Sequence, residues 1–187
     1  MARNNKGIVF LLLGFLLLLI AGGWYIYNVV EDNNAGQNAT EILNKIDDVQ
    51  NSDGEDNVSV ITVDGDDFCG KVIIEKLNIE LPVYNEWSYK RLKTAPCRYA
   101  GSIHTNDIVI AAHNYKSHFG PLNKLNINDE IKFLEPNGKI HTYKVCELTT
   151  LDGTAVSDMQ SGTWDFTLFT CTKSGKQRIT VRCELKE

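Results

Sequence analysis

Apolar residues are distributed along this chain in three ways. Residues 7–30 (GIVFLLLGFLLLLIAGGWYIYNVV) form one run without a charged side chain. A helix of about 20 residues, rising ~1.5 Å each, crosses the hydrocarbon core of a bilayer, so the run is long enough to span it. A cleaved signal peptide has an apolar region of roughly 7–15 residues ending in an A-x-A-like site. This run is longer, and Ala21-Gly-Gly-Trp24 is a poor cleavage site, so the pattern predicts a retained anchor. Over 31–68 the apolar positions thin out. Within that segment 40–50 places Ile42, Ile46 and Val49 at helical spacing, although an isolated helix that short is marginal in water.

From residue 70 the pattern changes to short β-type runs separated by turn signals. They fall at 71–75, 78–84, 98–103, 108–112, 130–134, 140–147, 165–170 and 178–185. Pro136-Asn-Gly138 suits a hairpin turn, and Pro82 puts its strand at an edge or a bulge. Only 86–93 and 119–125 suit a helical turn, and 148–163 reads as an ordinary loop. Short strands at this spacing predict an all-β fold, an eight-stranded closed or nearly closed barrel.

The last two runs carry a register. Phe166 and Leu168 alternate with Thr167 and Phe169; Ile179, Val181, Cys183 and Leu185 alternate with Arg178, Thr180, Arg182 and Glu184. Ser174-Gly175 can turn the chain between them. Keeping the apolar faces together pairs Leu168 with Val181 and Phe166 with Cys183. Cys171 then stands opposite Arg178, off the core face, and a slip by two residues still leaves the two near each other.

Charge divides the chain in the same places. Arg3 and Lys6 precede the apolar run, and Glu31 and Asp32 follow it. The positive-inside rule puts residues 1–6 in the cytoplasm, 7–30 across the membrane and the remainder outside. Trp24, Tyr25 and Tyr27 sit where aromatic rings favour the interface. Residues 31–68 hold eleven acidic residues against Lys45 alone, which accounts for the overall charge of −5. Such a composition predicts a flexible acidic stalk, leaving 69–187 as the folded domain. That domain is mildly basic and has no dense Lys/Arg face, so nucleic acid is not an expected partner.

Five cysteines, at 69, 97, 146, 171 and 183, are an odd number without C-x-x-C or zinc spacing to a histidine. No metal or other cofactor is expected, and Asp129-Glu130 reads as a solvated turn. A disulfide is allowed outside the cell, but the spacing names none. Cys183 falls on the core side and reads as packing. Cys171 falls at a strand end beside a permanent cation, which favours the nucleophilic thiolate. Such a thiol needs an acid/base partner. Among His104, His113, His118 and His141, His113 stands where the apolar strand 108–112 gives way to polar loop, a rigid base with an exposed tip. His118 reads as a loop residue, His104 as a turn residue and His141 as an edge-strand residue.

These residues together resemble the sortases, membrane-anchored cysteine transpeptidases of Gram-positive bacteria. Thr167-Leu-Phe-Thr-Cys171 matches the T-L-x-T-C box, Arg178-Ile-Thr-Val181 the Arg and apolar strand after it, and Ala112-His113-Asn114 the histidine site, with Ala112 where Gly is frequent. The segment 70–84 resembles the opening strand pair. The resemblance implies a sortase barrel over 69–187 with Cys171 as nucleophile, His113 as acid/base, Arg178 as oxyanion donor and Thr170 lining the substrate groove. It implies cleavage of a Leu-Pro-X-Thr-Gly-type sorting signal on surface proteins, and transfer to an amine of a cell-wall precursor or a pilin lysine. The loop 172–177 is short, 148–163 lacks the long inserted helix of class B, and 31–68 has no Asp-Pro-aromatic lid, so the subclass stays open. A thiol hydrolase would use the same Cys, His and Arg, and an inert anchored adhesion or scaffold module would keep only the barrel. A peptidoglycan L,D-transpeptidase carries Arg directly after its Cys, where this chain has Thr172.

Overall fold

The computed structural model describes residues 5–53, 59–160 and 163–186. A long helix α1 (Asn5–Asp53) precedes β1 (Ile61–Val63), β2 (Asp66–Ile74), β3 (Ile79–Tyr84), α2 (Tyr89–Leu92), β4 (Cys97–Ala100) and β5 (Ile108–Ala112). Then come β6 (Glu130–Leu134), β7 (Ile140–Asp152), α3 (Val156–Gln160), β8 (Phe166–Cys171) and β9 (Gln177–Leu185). Neighbouring strands run β2-β3-β4-β5-β8-β9-β7-β6, and β6 pairs back onto β2. The result is a closed eight-stranded barrel, with β1 added as a hairpin on β2. Each of the eight expected runs overlaps one barrel strand, although the run 98–103 continues three residues past the end of β4. The barrel unit starts earlier than residue 69, because β1 and the first residues of β2 belong to it.

Two deviations from the period-2 pattern have identifiable causes. β7 continues through 148–152, where a loop was expected, and pairs there with 177–181 of β9. A bulge between Val145 and Glu147 leaves Cys146 unpaired and interrupts the alternation that would have extended the strand. At Gly70, φ is +146° and an added Cβ would collide with the Leu134 carbonyl and the Phe133 ring. Glycine is needed at that bulge because β2 passes there against β6, where the barrel closes.

The barrel interior is filled by Val72, Ile74, Ile110, Phe133, Tyr143, Phe166, Leu168 and Val181 among others. A second apolar cluster lies outside the wall and contains Phe68, Tyr84, Cys97, Val109, Ala111, Met159 and Phe169. Strand β5 is buried on both faces, which is why its sequence is an unbroken apolar run. The β8–β9 register is the expected one, including Cys171 opposite Arg178. The face opposite the barrel core is nevertheless not open. Thr167 and Phe169 are both buried there, Phe169 within the second cluster.

The expected flexible stalk is corrected over most of its length. Residues 31–53 continue α1, and Ala35, Ala39, Leu43 and Ile46 bury one stripe against the barrel. Burying a side chain such as Leu43 or Ile46 contributes roughly 1.5–3 kcal/mol each. Small residues let the helix approach closely; a Cβ at Gly36 would lie 3.0 Å from the Ser117 Cβ. The acidic residues find partners on the barrel. Asp32 binds the loop after β5, Asp47 pairs with Lys71, and Lys45 bridges Glu41 at 2.7 Å and Asp64 at 2.8 Å. Upstream, the side chains from Ile8 to Val30 stay outside the core, and this part of α1 is long and apolar enough to cross a membrane.

Candidate active site

The parallel pair β5–β8 positions two candidate groups. Its last rung joins Ala112 to Thr170, and the Thr170 hydroxyl donates to the Ala112 carbonyl at 2.8 Å. His113 and Cys171 are the next residues on each strand. Parallel strands end in the same direction, so both side chains emerge at one end of the barrel. Arg178, paired with Cys171 across the β8–β9 hairpin, completes the group. All three line one cleft of about 350 Å³.

His113 is half-buried. Burial holds its pKa below the ordinary histidine value; the Glu31 carboxylate opposes that and the Lys93 ammonium adds to it. Arg178 donates from Nη1 to the carbonyls of Gly175 at 2.9 Å and Gln177 at 3.1 Å, so part of the guanidinium braces the hairpin turn. Asp152, at the end of β7, lines the same cleft. Its carboxyl is held below the usual range by the Thr154 hydroxyl and N–H, with a contribution from Arg178.

Thr170 is not among the residues lining this cleft. It is buried beneath it, and its hydroxyl ties β8 to β5. In that position Thr170 couples the strands bearing Cys171 and His113. His118 is also placed differently from a solvated loop residue. It is fully buried beside the Ala35 and Thr94 backbones, and burial pushes its pKa down to about 4. His104 and His141 lie away from the cleft and face the buried Glu135 carboxylate at 3.5 and 2.5 Å. All five cysteines are free, and Cys183 packs inside the barrel. Among the described residues no group of His, Cys, Asp and Glu converges into a metal site.

One wall of the cleft was not singled out from the sequence. Tyr89, Trp87, Tyr99 and Phe169 form a chain of edge-on ring contacts with centroid separations of 4.6, 6.1 and 5.2 Å. Leu92 and Met159 extend its apolar surface. The only sequence signal was the aromatic density of 84–99; these rings come from α2 and the turn before it, β4 and β8, which converge only in the folded barrel. An apolar wall beside a thiol, an imidazole and a guanidinium can seat an extended peptide and exchange its acyl group.

Fold and cleft together define a β-barrel protein of the thiol acyl-transfer class. A sortase-domain family model matches residues 72–186. The chain belongs to the sortase family, whose enzymes are cysteine transpeptidases. Among solved structures, the sortase C1 of Streptococcus agalactiae is similar at 26% identity with a TM-score of 0.58, covering 67% of this chain and 71% of that one. The sortase C1 of Streptococcus suis is similar at 25% identity and TM-score 0.54, covering 63% and 72%. The sortase A of Listeria monocytogenes shares the fold at 22% identity and TM-score 0.58, covering 64% and 88%. No curated protein matches the chain.

Proposed function

We propose that this chain cleaves a sorting signal of the Leu-Pro-X-Thr-Gly type after its Thr and transfers the Thr carbonyl to an amine. The observation supporting this reading is the meeting of Cys171, His113 and Arg178 in one peptide-sized cleft. The Cys171 thiolate adds to the Thr carbonyl carbon, and the oxygen becomes an oxyanion. Arg178 stabilises that charge with guanidinium N–H groups, either those outside the turn or Nη1 after it leaves Gly175. The tetrahedral centre collapses, the C–N bond breaks, and His113 gives its proton to the leaving amine. The thioester is then attacked by the incoming amine, which loses a proton to His113, and the thiolate is released. A thiolate serves both as nucleophile and as leaving group, which suits an amide-for-amide exchange.

Residues 1–6 are proposed to be cytoplasmic, 7–30 to span the membrane, and the barrel to lie outside. The donors are surface proteins bearing the signal, and the acceptor amine belongs to a cell-wall precursor or a pilin lysine. Quenched sorting peptides, given to the full chain with and without an amine, test the reading. The expected result is cleavage after Thr, a product carrying the added amine, and loss of activity by several orders of magnitude in Cys171→Ala and in His113→Ala. Cleavage without amine capture would assign a hydrolase. No cleavage of any signal, with Cys171 inert to alkylation, would favour the scaffold module.

A further inference from the structure

The loop that leaves β5 through His113 is held on one side by the barrel and on the other by α1. Asp32 is the helix's grip. Its carboxylate accepts the Lys116 N–H at 3.0 Å, the Ser117 N–H at 3.0 Å and the Ser117 hydroxyl at 2.6 Å. The Ser117 hydroxyl also lies 3.0 Å from the Asp32 carbonyl. Burial alone would raise the Asp32 pKa, but these bonds hold it below the usual carboxylate value. One residue earlier, the Glu31 carboxylate acts on Tyr115, whose hydroxyl is pushed up to about 12 by burial first and by Glu31 next. The Tyr115 ring lies against the His113 imidazole, with centroids 4.9 Å apart, and against His118 at 5.4 Å. Inside the loop, the Phe119 N–H donates to the His113 carbonyl at 3.2 Å.

We propose that the first polar turn of α1 is a positioning element for His113, with Asp32 fixing the loop whose Tyr115 ring supports the imidazole. The inference rests on the reading of His113 as the acid/base. An imidazole that moves protons between two amines must be held to within a fraction of an ångström, and a misplacement of about 1 Å can cost ~100-fold in rate. Loops after strands are ordinarily the mobile part of a barrel. Here the restraint comes from the helix that emerges from the apolar run, so the reactive geometry is tied to the membrane anchor. The charged groups acting on His113 are Glu31 from α1 and Lys93 beyond α2, and His118 within the loop is the neighbouring titratable ring.

The test uses the full chain in lipid nanodiscs and follows amine transfer to a cleavable peptide. Asp32→Ala and Tyr115→Leu should lower kcat by ~10- to 100-fold with KM changed less than about twofold. They should also displace the pH limb that belongs to His113. Tyr115→Phe keeps the ring and should recover most of the rate; Asp32→Asn keeps one acceptor oxygen and should recover part of it. Ser117→Ala supplies an independent, milder break of the same contact if Asp32→Ala melts early. Unchanged kcat and pH profile in folded Tyr115→Leu and Ser117→Ala would overturn the proposal. His113→Ala separates this from the underlying reading. If that variant is inactive while the α1 contact variants are normal, positioning fails alone; if it keeps full activity, the acid/base assignment fails first.

Discussion

Five thiols share this chain, and their surroundings separate them. Burial pushes Cys69 up to about 12, Cys97 up to about 11 and Cys183 well above the ordinary thiol value. Cys146 is raised as well, mainly by burial, and its sulfur lies 3.1 Å from the Arg182 carbonyl. Cys171 alone lines the cleft beside His113 and Arg178. Thiolate is the reactive form, so raising a thiol's pKa slows its alkylation near neutral pH. Limited treatment of the folded protein with iodoacetamide should therefore modify Cys171 first, read by peptide mass mapping. Equal labelling of Cys183 would remove the basis for treating Cys171 as the nucleophile.

The helix and the strands depend on each other through His118. It is buried beside Ala35 of α1, and its pKa of about 4 lies below the ordinary 6.5, with burial as the main cause. The unfolded chain binds this proton more readily than the folded one. Stability is then full above pH 6.5 and is lost as pH falls from 6.5 toward 4. The loss is bounded at roughly 3 kcal/mol. Thermal melts across this window should show a falling Tm that flattens in His118→Phe, which keeps an aromatic ring and removes the titration. An unaltered slope in that variant would place the acid sensitivity elsewhere. Undocking of α1 is the expected mode of loss, because the neutral imidazole lies under that helix.

On the scale of the whole molecule, α1 is a single helix from Asn5 to Asp53, about 70 Å long at ~1.5 Å per residue. On the proposed placement of 7–30 in the bilayer, the first hydrogen bonds to the barrel come at Asp32, within one turn of the membrane surface. That placement would carry the cleft near the headgroups on a helix instead of on a swinging tether. Protoplasts expressing the full chain provide the topology test. A membrane-impermeant maleimide should label Cys171 in intact protoplasts and should leave Cys171→Ser unlabelled at that position. Labelling that appears only after permeabilisation would reverse the proposed orientation.

Local pattern was enough for the features whose cause is local. The apolar run before Glu31, the eight barrel runs, the β8–β9 register and the pairing of Cys171 with Arg178 all follow from alternation and turn residues. His113 was legible because an apolar strand stops there. Other features depend on what packs against them. Ala35 and Ala39 carry too little apolar surface to look like a docking stripe, and Asp32 and Asp47 look solvated until Ser117 and Lys71 are beside them. Thr170 alternates like a face residue, yet a parallel neighbour turns its hydroxyl into a tie to Ala112. The bulge at Cys146 hid the end of β7, and the aromatic wall gathers rings from separate elements. Hydrophobic periodicity reports which face of an element is apolar, so the sequence by itself determined the strands, the span-length apolar run and the candidate nucleophile. What covers the opposite face is a long-range property, and only the tertiary structure decided the docked helix, the buried His118 and the walls of the cleft.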